Sequence, residues 1–196
     1  MPDPSRYVFT MSDRLLLVVD LEATCWDGLV EGKDHRQTVD DMEIIEFGCA
    51  ITDTRGSVAD ARSFLVRPQL HPALSEFCTS LTRLEQAMVD RAPVYPEVVL
   101  CVDQWLANYE LAAWGSWGNY DHRQILAEDR RHACAPGFMR LPHINLKQRW
   151  CQSQGANSKA DLQVALRHHG LTFQGMYHRG VDDALNIARL LPFFDL

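Results

Sequence analysis

Hydrophobic positions fall in short blocks whose spacing changes along the chain. Leu15 to Leu21 is a nearly unbroken run of branched apolar residues, and Ile44 to Thr52 is a second. Both have the pattern of strands buried on both faces or most of one. Between them, Asp27 to Glu43 is charged and Gly-bearing, the mark of a solvated loop. Ser63 to Arg67 reads as a third strand halted by Pro68, with a hairpin-type turn at Arg55-Gly56-Ser57 before it. Helical spacing follows over Pro72 to Asp90 and over Pro96 to Tyr109, where Val98, Leu100, Val102, Trp105 and Leu106 form a mostly helical stripe behind an early proline. Strands at Glu110 to Trp114 and His143 to Leu146 then alternate with helices at Asp121 to His132, at Asp161 to His169 stopped by Gly170, and at Val181 to Leu191 before Pro192. Three leading strands followed by alternation predict an α/β fold, a mixed sheet of about five strands flanked by helices.

Composition narrows the picture. With 196 residues, 46% apolar and 23% charged, the chain suits one folded domain, expected over 13–196 behind a flexible polar tail at 1–12. Met11 is a second possible start. The longest apolar run, Leu15 to Val19, is far below the roughly 20 residues of a membrane span. The polar N-terminus lacks a secretory pattern, so no membrane partner and a cytoplasmic location are expected. Six single cysteines without a C-x-x-C pair read as reduced, mostly buried small hydrophobes. A formal charge of −7 argues against a nucleic-acid partner unless several acids hold divalent cations.

That exception is where the chemistry points. In Val18-Val19-Asp20-Leu21-Glu22-Ala23-Thr24-Cys25-Trp26 two carboxylates end an apolar strand at i and i+2, so both side chains face one side. Two such anions repel unless a cation lies between them or one is protonated, and hard oxygen ligands suit Mg²⁺ or Mn²⁺. Alone, the pair reads equally as the start of a loop. Trp117-Gly118-Asn119-Tyr120-Asp121 adds a third acid at a loop–helix junction, and His178-Arg179-Gly180-Val181-Asp182-Asp183 places a histidine five residues before a fourth.

In this order the motifs resemble those of the DEDDh 3′-to-5′ exonucleases, of the ribonuclease H-like fold: a D-x-E strand, a later helix Asp and H-x(4)-D. Further likeness to the branch that trims histone-mRNA ends, small interfering RNA and ribosomal RNA lies in Glu43-Ile44-Ile45-Glu46-Phe47, in Phe77-Cys78-Thr79-Ser80-Leu81-Thr82 and in Asp182 to Arg189. The resemblance implies that Asp20, Glu22, Asp121 and Asp183 hold two Mg²⁺ ions, replaceable by Mn²⁺, and that His178 takes the proton of the attacking water. The H-x(4)-D spacing selects Asp183 over Asp182, which is then a helix-start or supporting residue. The resemblance also implies that Phe77, Leu81 and Tyr120 pocket the terminal base, with Glu22, Ala23, Thr24 and His178 near the 3′ end. Phe77 and Leu81 read equally as core residues of an amphipathic helix. The substrate would be single-stranded nucleic acid 3′ ends, RNA in preference, and the product nucleoside 5′-monophosphates. Alternatives are a DNA exonuclease of proofreading or repair type, and a silent nucleic-acid- or partner-binding module.

The chain departs from the branch at Arg83, where Gly is usual, at Gly180, where many DEDDh proteins carry Ala, and at Tyr120, where some carry Trp. His168-His169 reads as a helix cap. His35, His71, His122, His132 and His143 lack the spacing of a zinc site. Arg123, Arg130, Arg131, Lys147, Arg149, Lys159 and Arg179 are candidates to line a strand path, with Arg123 and Arg179 favoured.

Overall fold

The computed structural model describes residues 15–156 and 160–196. The tail expected at 1–12, the alternative start at Met11 and the candidate Lys159 lie outside the described residues. Strands β1 (Leu15–Ala23), β2 (Ile44–Thr52), β3 (Val58–Leu65), β4 (Leu111–Ser116) and β5 (His143–Asn145) form one sheet in the order β3-β2-β1-β4-β5. β2 runs antiparallel to β1 and β3, whereas β1–β4 and β4–β5 are parallel, so the sheet is mixed as expected.

The alternation of β1 divides the core in two. Leu17, Val19 and Leu21 face one side with Phe47, Cys49 and Ile51, and are covered by α3 (Tyr95–Leu106) and α4 (Tyr120–His132). Leu16, Val18, Ala50 and Ala113 face the other side, under α5 (Leu146–Gln154), α6 (Leu162–His168) and α7 (Gly180–Ala188). Burying each large side chain contributes roughly 1.5–3 kcal/mol, so the central strands are fixed by both layers. A third cluster, with Ala23, Cys25, Trp26, Ile45 and Cys78, packs beyond the end of β1 against α1 (Glu76–Thr82) and α2 (Gln86–Asp90).

Four expectations are corrected. β3 starts at Val58, five residues before the predicted Ser63, because Asp60, Arg62 and Ser63 interrupt the apolar residues of this half-exposed edge strand and leave no apolar run at its start. The helix expected over Pro72 to Asp90 is two short helices, broken where Arg83 takes a left-handed φ of 59°. α5 was not anticipated. It follows β5 directly, Asn145 accepting the Gln148 N–H at 2.9 Å, and buries only Leu146, Trp150 and Cys151. His169 is the C-cap of α6, but its Nε2 meets the Trp150 indole N–H at 2.9 Å and its ring stacks on Phe193.

α7 lies close on the sheet because two glycines meet. A Cβ on Gly48 would lie 1.7 Å from the Gly180 carbonyl carbon, and one on Gly180 would lie 2.7 Å from the Asp20 carbonyl oxygen. The alanine common in DEDDh proteins at this second position would therefore not fit here without a backbone shift. Gly48→Ala is expected to destabilise the fold by about 3 kcal/mol or more, since backbone and not a flexible side chain blocks the methyl group. Arg83→Gly should stabilise it by about 1 kcal/mol by relieving the left-handed residue. Urea unfolding of the two variants beside wild type checks both signs.

Candidate active site

β1 delivers Asp20 and Glu22 to the face on which α7 lies, opposite Gly48 and Glu46 of β2 in the antiparallel register. α7 brings Asp183 from its first turn. Carboxylate oxygens of Asp20, Glu22 and Asp183 lie within 4.8 Å of one another. Glu22 and Asp183 are buried, whereas Asp20 opens on the cleft while protein packs densely around it. Asp121 enters from the first turn of α4 and accepts the Leu21 N–H at 3.0 Å through Oδ1, so one of its oxygens is already committed to β1.

These four acids and His178 line one cleft of about 450 Å³, together with Ala23, Phe77, Leu81 and Tyr120. Phe77 is 38% exposed on the cleft side of α1, so of its two readings the structure supports a surface ring rather than a core residue. Leu81 and Tyr120 pack partly against the third cluster. Thr24 is differently employed: its hydroxyl accepts the Glu43 N–H at 2.9 Å, tying the end of β1 to the start of β2, and it is buried outside the cleft lining. Asp182 supports a loop, accepting the Met176 N–H at 2.8 Å.

Crowding sets the electrostatics. Burial, then the charges of Asp121, Asp183 and Glu22, hold the Asp20 carboxyl well above its ordinary range. Burial and the charge of Asp183 push Glu22 up to about 9. Burial raises Asp183 to about 7 and Asp121 to about 6, opposed by N–H groups of His178 and Arg179 in the first case and of Leu21 in the second. Oδ2 of Asp183 is buried with no hydrogen-bond partner among the described residues. An orphaned anionic oxygen beside two further carboxylates, all hard donors, fits a divalent cation. His178, with φ of 63°, has Nδ1 4.0 Å from Oε1 of Glu22, and burial lowers its pKa, which leaves the ring neutral and able to accept a proton.

The expected basic path is mostly otherwise engaged. Arg130 pairs with Asp40, Arg131 with Glu128 and Arg179 with Glu46, while Arg123 donates to the Asn119 carbonyl. Lys147, not one of the favoured two, lines the cleft. Trp117, Tyr177 and Met42 also line it and were not anticipated. Tyr177, next to His178, and Trp117, at the head of the stretch that ends in Asp121, are marked by their positions in sequence, whereas nothing local marks Met42.

Comparison with known proteins agrees with this geometry. The chain is 29% identical over 206 residues to the 3′-5′ exonuclease eri1 of Schizosaccharomyces pombe, an alignment spanning 91% of this chain and 67% of that one. It is 30% identical to the human 3′-5′ exoribonuclease 1 over 89% of this chain, and spans about half the length of that protein. The solved nuclease domain of 3′hExo, a DEDDh family member bound to rAMP, superposes with a TM-score of 0.79 at 27% identity, covering 90% of this chain and 89% of the other. A structure of 3′-exonuclease described as recognising the histone mRNA stem-loop gives 0.80 at 26% identity, over 90% of this chain and 62% of that one. The profile of the Exonuclease (RNase_T) family matches residues 17–191, and the chain belongs to that family.

Proposed function

We propose that this chain is a divalent-metal-dependent 3′-to-5′ exonuclease that removes nucleoside 5′-monophosphates from single-stranded RNA ends. The observation that carries the reading is the convergence of Asp20, Glu22 and Asp183 within 4.8 Å, in a cleft that Asp121 and His178 also line. Asp20, Glu22, Asp121 and Asp183 would hold Mg²⁺, with Mn²⁺ as a substitute. When bound, the cations supply water activation and charge neutralisation at the leaving oxygen.

The residues of the chain account for the rest of the reaction. Phe77 offers an exposed ring on which any terminal base can stack, flanked by Leu81 and Tyr120, and Ala23 adjoins the sugar. His178, neutral and at the mouth of the cleft, accepts a proton from the water attacking the last phosphodiester phosphorus. The new P–O bond belongs to the released 5′-monophosphate. The bond from phosphorus to the 3′ oxygen of the penultimate nucleotide breaks, that oxygen takes a proton from solvent to become the new 3′ hydroxyl, and His178 releases its own proton to solvent before the next cycle. The preference for RNA is supported by the names of the exoribonuclease relatives, and the DNA reading differs from it only in the 2′-OH.

A time course with 5′-labelled RNA and Mg²⁺ should give a ladder shortening from the 3′ end, faster than on a matched DNA strand. Asp20→Ala should abolish it, and His178→Ala should slow it by about 10²–10⁴-fold. Equal rates for wild type and Asp20→Ala would exclude this site as the source of activity. Phe77→Ala should weaken substrate binding by roughly 1–3 kcal/mol, read as a raised KM.

Removing metal should expose the repulsion among the carboxylates. Because their folded pKa values lie above those of the unfolded chain, the native state binds more protons, and its stability falls as pH rises from the ordinary carboxylate range through about 9. In EDTA the thermal midpoint should therefore drop between about pH 5 and pH 9, and Mg²⁺ should restore it most at the alkaline end. Parallel curves with and without Mg²⁺ would contradict the metal assignment.

A further inference from the structure

Glu46 is a fifth carboxylate beside the cluster. It lies in the middle of an otherwise apolar strand, fully buried, opposite Glu22 in the register of β1 and β2. Nothing in the reaction described above uses it. Its oxygens are nonetheless all engaged: Oε2 accepts the Arg179 Nε and the Gly180 N–H, each at 3.2 Å, and Oε1 accepts the Ser63 hydroxyl and the Arg179 Nη2.

These partners identify what the residue does. α7 has no side-chain cap of its own, since Arg179 at its N-cap position makes none. The first N–H of the helix is taken instead by a carboxylate 134 positions earlier in the chain. The residue just before this anchored pair is His178, in a left-handed conformation that a non-glycine residue keeps only when its surroundings hold it. Asp182 holds the turn on its far side at Met176, and the Gly48–Gly180 contact presses it onto β2. Of the two carboxylates in this set, Glu46 is the fully buried one and the one that grips the residues directly after the histidine.

We propose that Glu46 is a positioning residue for the reaction: through Arg179 and the Gly180 N–H it fixes the turn that aims the His178 ring into the cleft. The proposal rests on the exonuclease reading. It differs from a general structural role in a testable way, because an effect carried by His178 disappears when the imidazole is gone.

The experiment is a double-mutant cycle on 5′-labelled RNA with Mg²⁺, comparing wild type, Glu46→Gln, His178→Ala and the double variant. Gln keeps the shape and one acceptor oxygen but loses the charge that holds the guanidinium. Glu46→Gln should lower kcat on the order of tenfold or more with little change in KM. In the His178→Ala background the same substitution should change kcat by less than about twofold. Arg179→Lys, which keeps the charge and loses the forked contact, should give a smaller loss of the same kind and serves if Glu46→Gln does not fold.

Equal losses in both backgrounds, or an unchanged kcat in Glu46→Gln, would overturn the proposal. So would a loss that persists without His178 and is overcome by more Mg²⁺, which would mean that Glu46 acts through the carboxylate cluster. A wild-type protein inactive on both RNA and DNA would instead overturn the exonuclease reading, and this inference with it.

Discussion

Like charges held together out of water dominate this molecule. Asp20, Glu22, Asp121 and Asp183 are packed where burial and mutual repulsion disfavour ionisation, and the fold tolerates that cost because strong constraints surround it. β1 is clamped between two apolar layers and cannot move its acids apart. The Leu21 N–H fixes Asp121 and the glycine contact fixes α7. A site of this kind is strained until a cation arrives, and the strain itself favours occupancy.

The same arrangement would let an acidic protein accept a polyanion. The net charge of −7 is not spread evenly in effect, because part of it is concentrated where cations would cancel it. Most of the arginines once considered for a strand path neutralise acids of the protein itself. The cleft offers apolar and aromatic surface instead, from Phe77, Leu81, Trp117 and Tyr120, which would tolerate any base.

How much of this is legible in the sequence depends on the range of each interaction. β2 and the D-x-E end of β1 are local apolar patterns, and the structure places them where the pattern does. The interrupted edge strand β3 and the sparsely apolar α5 carry weak periodicity, so the start of the one and the presence of the other are not visible in the pattern. Arg83 breaks a helix through a left-handed backbone that its side chain does not advertise. In the site, the five motif residues come together, whereas Thr24 looks inward to Glu43 for a reason visible only once β2 is paired. Glu46 shows itself as an acid inside an apolar strand, but its partners Arg179 and Gly180 lie more than 130 positions away, and spacing along the chain cannot name them.

α7 supplies the last carboxylate and, just ahead of it, the imidazole. The whole sheet, Phe77 and the other three acids come before Gly175 in the chain, so the cleft lacks a carboxylate and its imidazole until this last stretch is in place. Docking of α7 on β2 through the Gly48–Gly180 contact therefore seats both groups in one event, and a loosened helix would forfeit them together.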